Sequence, residues 1–138
     1  MLTAICWAVG SYLEKKGINS GNLTPVMGTA IRTAVSLILL GFLSAPFWNE
    51  LKTAGWKPIG LIALGGGVLA GGLGIIFLYH GLKSGHISTV MTIAFCLAPV
   101  FGVLIGFLLL GERLAAMQVV GIVMCIAGAA ITVMWRPA

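Results

Sequence analysis

The sequence is short of charge, and of acid most of all. Of 138 residues only 8% are charged, and the acids number three, Glu14, Glu50 and Glu112. A soluble domain carries about 25% charged residues, so too few are present here to cover a water-facing surface. Cysteine is scarce as well. Cys6, Cys96 and Cys125 fall on three different apolar segments. An odd number at these spacings fits no closed disulfide framework and no metal site, so the three read as small packing residues. Catalytic sets are also missing. There is no Ser–His–acid arrangement at usable spacing, no glycine-rich phosphate loop with its lysine, and no His–acid cluster for a metal. The expectation is a protein that is not an enzyme and needs no metal or cofactor. The net charge of +5 is no nucleic-acid footprint. Its basic residues stand singly or in pairs at helix ends, where Lys and Arg reach the bilayer surface.

Hydrocarbon is what the chain does have. Hydrophobic residues make up 59% of it, and the mean hydropathy is +1.11. Strands of a membrane barrel alternate apolar and polar positions. Here the apolar runs are unbroken over about 18 residues or more, which is the signature of membrane helices. The pattern predicts an all-α integral membrane protein with five spans in one domain, residues 1–138. The spans are 2–16, 25–45, 58–82, 87–110 and 114–135. Thr24-Pro25 opens the second by the usual rules for a helix start, and Pro46 closes it. The first is short for a bilayer crossing of about 20 residues. Its charges, Lys15 and Lys16, follow the apolar stretch instead of preceding it as in a signal peptide, so it reads as a retained helix. Trp48, Trp56 and Trp135 lie at span ends like an aromatic belt.

Five spans place the termini on opposite sides. Lys52, Lys57 and Arg113 then share one side, and Lys15, Lys16, Lys83 and Arg136 the other. That split is too even to fix an orientation. Either the count is too coarse or the chain inserts both ways.

The few polar residues fall on stripes spaced three and four apart, which share a helix face. The first span carries Thr3, Trp7, Gly10 or Ser11, and Glu14. The second carries Thr29, Arg32 and Ser36, the fourth Thr89, Thr92, Cys96 and Pro99, and the fifth Gln118, Gly121, Cys125, Gly128 and Thr132. One Ser or Thr in a membrane helix commonly bonds its own backbone or a neighbouring helix. Four stripes in five helices point to polar faces around a shared interior.

Arg32 lies about two turns into its span, and a charge at that depth usually faces a bundle interior or a wet cavity. It reads as an anchor for a polar or anionic substrate, or else as a snorkelling residue or a salt-bridge partner of Glu14. Glu14, beside two lysines, also reads as an ordinary interfacial charge. His80 and His86 flank a short turn and fit an interfacial role. In 64–74, "LGGGVLAGGLG", six of eleven residues are glycine. Gly67 and Gly71 form a G-x-x-x-G pair of the kind that lets helix backbones approach.

The stretch "LAPVFGVLIGFLLLGERL" (97–114) joins two further features. Pro99 has no N–H to give the carbonyl one turn back, which predicts a kink and a polar notch beside Thr92 and Cys96. Gly111 suits a left-handed helix end, and Glu112 then precedes the fifth helix, where an acid is favoured.

These features together resemble the EamA-type domain of the drug/metabolite transporter superfamily. The resemblance rests on Tyr79 at the end of the third helix, Pro99 in the fourth, "LGERL" at 110–114, and the Gly121/Gly128 spacing in the fifth. Trp7, "KKG" at 15–17 and Arg32 also match. It covers essentially the whole chain. Such proteins commonly have ten helices in two five-helix repeats, and this chain is one repeat long. The resemblance therefore implies a dimer, formed with a second copy or with a paralogous chain, that transports small metabolites or amphipathic compounds by alternating access. Antiparallel pairing would mimic the inverted repeats of transporters. Small multidrug resistance relatives couple to protons through a deep membrane glutamate, and no span interior here is read as holding an acid.

The expected path lining is Trp7, Ser11, Glu14, Arg32, Tyr79, Thr92 and Pro99. Gly67, Gly71, Gly121 and Gly128 are the expected helix-packing positions. The expected location is a bacterial inner membrane, crossed several times and in contact with lipid. The alternative is a non-transporting accessory subunit of a larger membrane complex.

Overall fold

The computed structural model describes residues 1–135, all of them helix, turn or loop with no strand. Arg136, one of the interfacial charges, lies outside the described residues. The chain divides into two compact units, Met1–Ser84 and Gly85–Ala138.

In the first unit, α1 spans Leu2–Ser20. It runs on past Lys16, where the sequence predicts a turn. The turn comes later because Ser20 Oγ bonds back to the Lys16 carbonyl at 2.6 Å, and the chain leaves the helix only at Asn22, in a left-handed conformation with φ 46°. Asparagine is one of the few residues that takes this conformation cheaply. Glu14 therefore sits inside α1 and not at its end.

α2 (Pro25–Ser44) starts as its sequence predicts. Thr24 Oγ1 accepts the Met27 N–H at 3.3 Å, with Pro25 in the first turn. Pro46 does not close this helix. It falls in the first turn of a short 3₁₀ segment, Ala45–Phe47, where a missing N–H costs little, and the helical path continues as α3 (Trp48–Ala54). The reversal is made by Gly55, at φ 77°. Beyond it follow α4 (Trp56–Ile62), a π-helical segment Ala63–Gly74, and α5 (Ile75–Ser84).

In the second unit, α6 (Ile87–Leu110) packs against α7 (Ala116–Met134). Pro99 lies inside α6 without ending it. Gly111 ends it at φ 65°, left-handed as expected. Glu112 is placed differently from expectation: its backbone N–H bonds the Gly106 carbonyl at 3.1 Å, and its side chain folds back over Gly106. The start of α7 is held instead by Gln118, whose Oε1 accepts the Ala115 N–H at 3.0 Å.

Among the described residues, four helices are long and apolar enough to cross a bilayer: Pro25–Ala54, Trp56–Ser84, Ile87–Leu110 and Ala116–Met134. α1 has 19 residues, but Glu14, Lys15 and Lys16 interrupt its apolar run.

Little of this surface is buried. In the first unit Ile18, Ile75 and Tyr79 form a core cluster, with Trp7, Leu23 and Leu78 against it, and Leu82 is buried nearby. Most large apolar side chains point outward. Lipid is as apolar as leucine, so burial drives little helix association there, and close packing and polar contacts have to do it.

Candidate functional site

The polar centre of the first unit is built from three helices. α1 supplies Trp7, Ser11 and Glu14 along one face, α2 supplies Arg32, and α5 supplies Tyr79. Arg32 Nε lies 3.0 Å from Glu14 Oε1. The guanidinium carbon stands 5.5 Å from the centre of the Trp7 ring, within cation–π range. Tyr79 lines the same cavity as Glu14 and Arg32. Ser11 is buried beside them, at 1% exposure.

The seat for Tyr79 is Gly28. A Cβ at that position would lie 2.5 Å from Tyr79 Cε1 and 3.4 Å from Ile18 Cδ1. Any side chain at that position would have to displace the ring. Lys83, one turn on in α5, donates to the Leu23 carbonyl at 2.9 Å and ties α5 to the α1–α2 turn. Thr29 Oγ1 donates to the Pro25 carbonyl at 2.9 Å, a local bond of the ordinary kind for a helical threonine.

Two cavities meet at the ion pair. One, of about 390 Å³, is lined largely by apolar residues, among them Leu13, Leu23, Ile31 and Val35. The other, of about 150 Å³, is lined by Cys6, Trp7, Gly10 and Ser11. Glu14 and Arg32 line both. The two side chains retain 31% and 21% exposure, Arg32 first. In water, a pair this open contributes up to about 1 kcal/mol. Within a bilayer the alternative is a lone charge, at roughly 2.5–3.5 kcal/mol, so the pairing is what makes a charge at this depth tolerable. Of the readings open for Arg32, the salt bridge to Glu14 is the one observed.

Of the seven residues read from sequence as path lining, Trp7, Ser11, Glu14, Arg32 and Tyr79 come together here. Thr92 and Pro99 lie on α6, in the second unit. Among the glycines read as packing positions, a Cβ at Gly67, Gly121 or Gly128 would meet nothing within 4 Å. At Gly71 it would meet only the Gly66 carbonyl, at 2.7 Å.

The model of the EamA-like transporter family matches residues 1–134. The chain belongs to the EamA-like transporter family. Searches of the curated proteins and of the solved structures gave no match. The members of the EamA-like family are transporters, and the four apolar helices of this EamA-like chain make it a multi-pass integral membrane protein in contact with lipid. Gly28 is the residue that sequence reading of the EamA-like chain misses. It stands four positions before Arg32, on the same face of α2, but that spacing does not say which ring it meets.

Proposed function

We propose that this chain is a transporter subunit that works as a dimer by alternating access, carrying small polar metabolites or amphipathic compounds across a bacterial inner membrane. The observation that carries the proposal is the Glu14–Arg32 pair standing between two cavities. A structural ion pair needs no empty space on both sides, whereas a substrate path does. Trp7, Ser11, Glu14, Arg32 and Tyr79 line the path in this reading. The larger cavity, mostly apolar with two charges at one wall, suits an amphipathic solute.

The dimer is supported by the open faces of Gly67, Gly121 and Gly128. Small residues on such faces let another helix approach closely. α1 crosses the membrane as the fifth helix of the repeat, with its charges held by pairing and by the interface.

The test is uptake or efflux by proteoliposomes holding the wild-type chain, screened against amphipathic and polar metabolites, with Arg32→Ala and Trp7→Ala compared for any solute that moves. Loss of transport in both, with folding retained, supports the path. Unchanged transport in both removes these residues from it. Native mass spectrometry after gentle extraction tests the dimer. A fixed complex with unrelated proteins and no self-association would favour an accessory subunit instead.

A further inference from the structure

The polar stripes of α6 and α7 meet at two cysteines. Cys96 and Cys125 are both free and half-buried, and their thiols lie close enough to act on each other, on two helices that pack together. The neighbouring residues give the same register. Ile93 and Leu97 of α6 line one cavity together with Ile126, Ala129 and Ala130 of α7, so the turns holding the two cysteines face each other across the hairpin. Alanine is small at two of these positions. The two helices therefore have room to close slightly. A disulfide needs the sulfurs at about 2.05 Å and the Cα atoms at about 4.4–6.8 Å, which is the scale of approach that small residues permit between membrane helices.

We propose that Cys96 and Cys125 are an oxidation site, a dithiol that a neutral, membrane-permeant two-electron oxidant converts to an intrachain disulfide joining α6 to α7. A charged oxidant is excluded from the bilayer core, whereas a neutral one partitions to the thiols. With a diazene as oxidant, one sulfur adds across the N=N bond, and its proton goes to the second nitrogen. The other sulfur then attacks the first. The S–S bond forms, the S–N bond breaks, and the remaining thiol proton passes to the nitrogen. Two thiols lose two electrons and two protons, and the diazene leaves as the hydrazine.

The test uses the full chain in proteoliposomes with diamide as the diazene, followed by denaturing alkylation with N-ethylmaleimide and intact mass measurement. The chain has three cysteines, and the exposed Cys6 serves as the internal reference. The expected product is a monomer with one alkylated thiol, lighter than the sum of its parts by the two lost hydrogens, and restored to three alkylated thiols by dithiothreitol. Cys6→Ala should leave no alkylatable thiol after oxidation. Cys96→Ala and Cys125→Ala should each block the bridge. Three free thiols after treatment, in a sample where an added dithiol peptide within the membrane is oxidised, would overturn the proposal. So would cross-links found only between chains.

Discussion

The helical stretch from Ala63 to Ser84 has two halves that obey different rules. The π-helical half, Ala63–Gly74, holds six glycines and buries no residue. The α5 half holds one glycine and buries Ile75, Tyr79 and Leu82. Glycine density is therefore a poor guide to packing in this chain. The glycine that does bring helices together stands alone, at position 28 of another helix, and is recognised by what it faces. The glycine run has a different local effect. Cβ atoms built at Gly71, Gly72 and Gly74 would lie 2.7, 3.4 and 3.2 Å from the carbonyls of Gly66, Gly67 and Leu69, each five residues back. That spacing belongs to the wider π turn, so these glycines keep the turn open for the chain itself.

The strongest way to break the packed half is Gly28→Val. Its side chain would occupy space held by the Tyr79 ring, and overpacking of a tight contact costs about 1–3 kcal/mol. We expect the upper end of that range, because the neighbour is a ring wedged between α2 and the Ile18 cluster. The thermal midpoint of the detergent-solubilised protein should fall clearly. A midpoint like that of wild type would mean that Tyr79 leaves Gly28 freely, and that the packed half is looser than its geometry.

The ion pair tests the site above that contact. Arg32→Gln and Glu14→Gln should each destabilise by about 1–3 kcal/mol, below the 3–5 kcal/mol of a fully buried pair because both side chains keep partial exposure. The double variant should cost less than the sum of the singles, since the second change removes a charge already stranded. Strict additivity in a double-mutant cycle would show that the two charges do not depend on each other. A smaller effect is expected of Lys83→Met, about 1 kcal/mol for a partly exposed hydrogen bond from a charged donor. It should appear as faster amide exchange in the α1–α2 turn around Leu23.

Much of this was legible in the sequence because membrane helices announce themselves by composition. The helix start at Thr24-Pro25 and the left-handed Gly111 follow from single residues with narrow conformational choices. The gathering of Trp7, Ser11, Glu14 and Arg32 follows from helical spacing. Three features were not legible for physical reasons. Pro46 was expected to close a helix, yet a proline in the first turn of a 3₁₀ segment interrupts nothing. The end of α1 depends on a serine bonding back to the helix, a contact that spacing does not reveal. The seating of Tyr79 on Gly28 pairs residues far apart in the chain, and one sequence carries no trace of which small residue meets which ring.

The smallest expected effect separates the two halves most directly. In an ordinary α-helix, Gly→Ala stabilises by about 0.5–1 kcal/mol at any interior site, so Gly67→Ala and Gly71→Ala should behave alike. In the π turn they should not. A Cβ at Gly67 meets nothing within 4 Å, whereas one at Gly71 meets backbone, the Gly66 carbonyl, at 2.7 Å. Backbone cannot swing aside as a flexible side chain does. In dilute detergent, where no second copy is bound, Gly67→Ala should raise the thermal midpoint slightly and Gly71→Ala should leave it unchanged or lower it. Equal stabilisation by both would show that the segment is α-helical in solution. Its glycines would then serve contacts outside the chain, as the G-x-x-x-G spacing first implied.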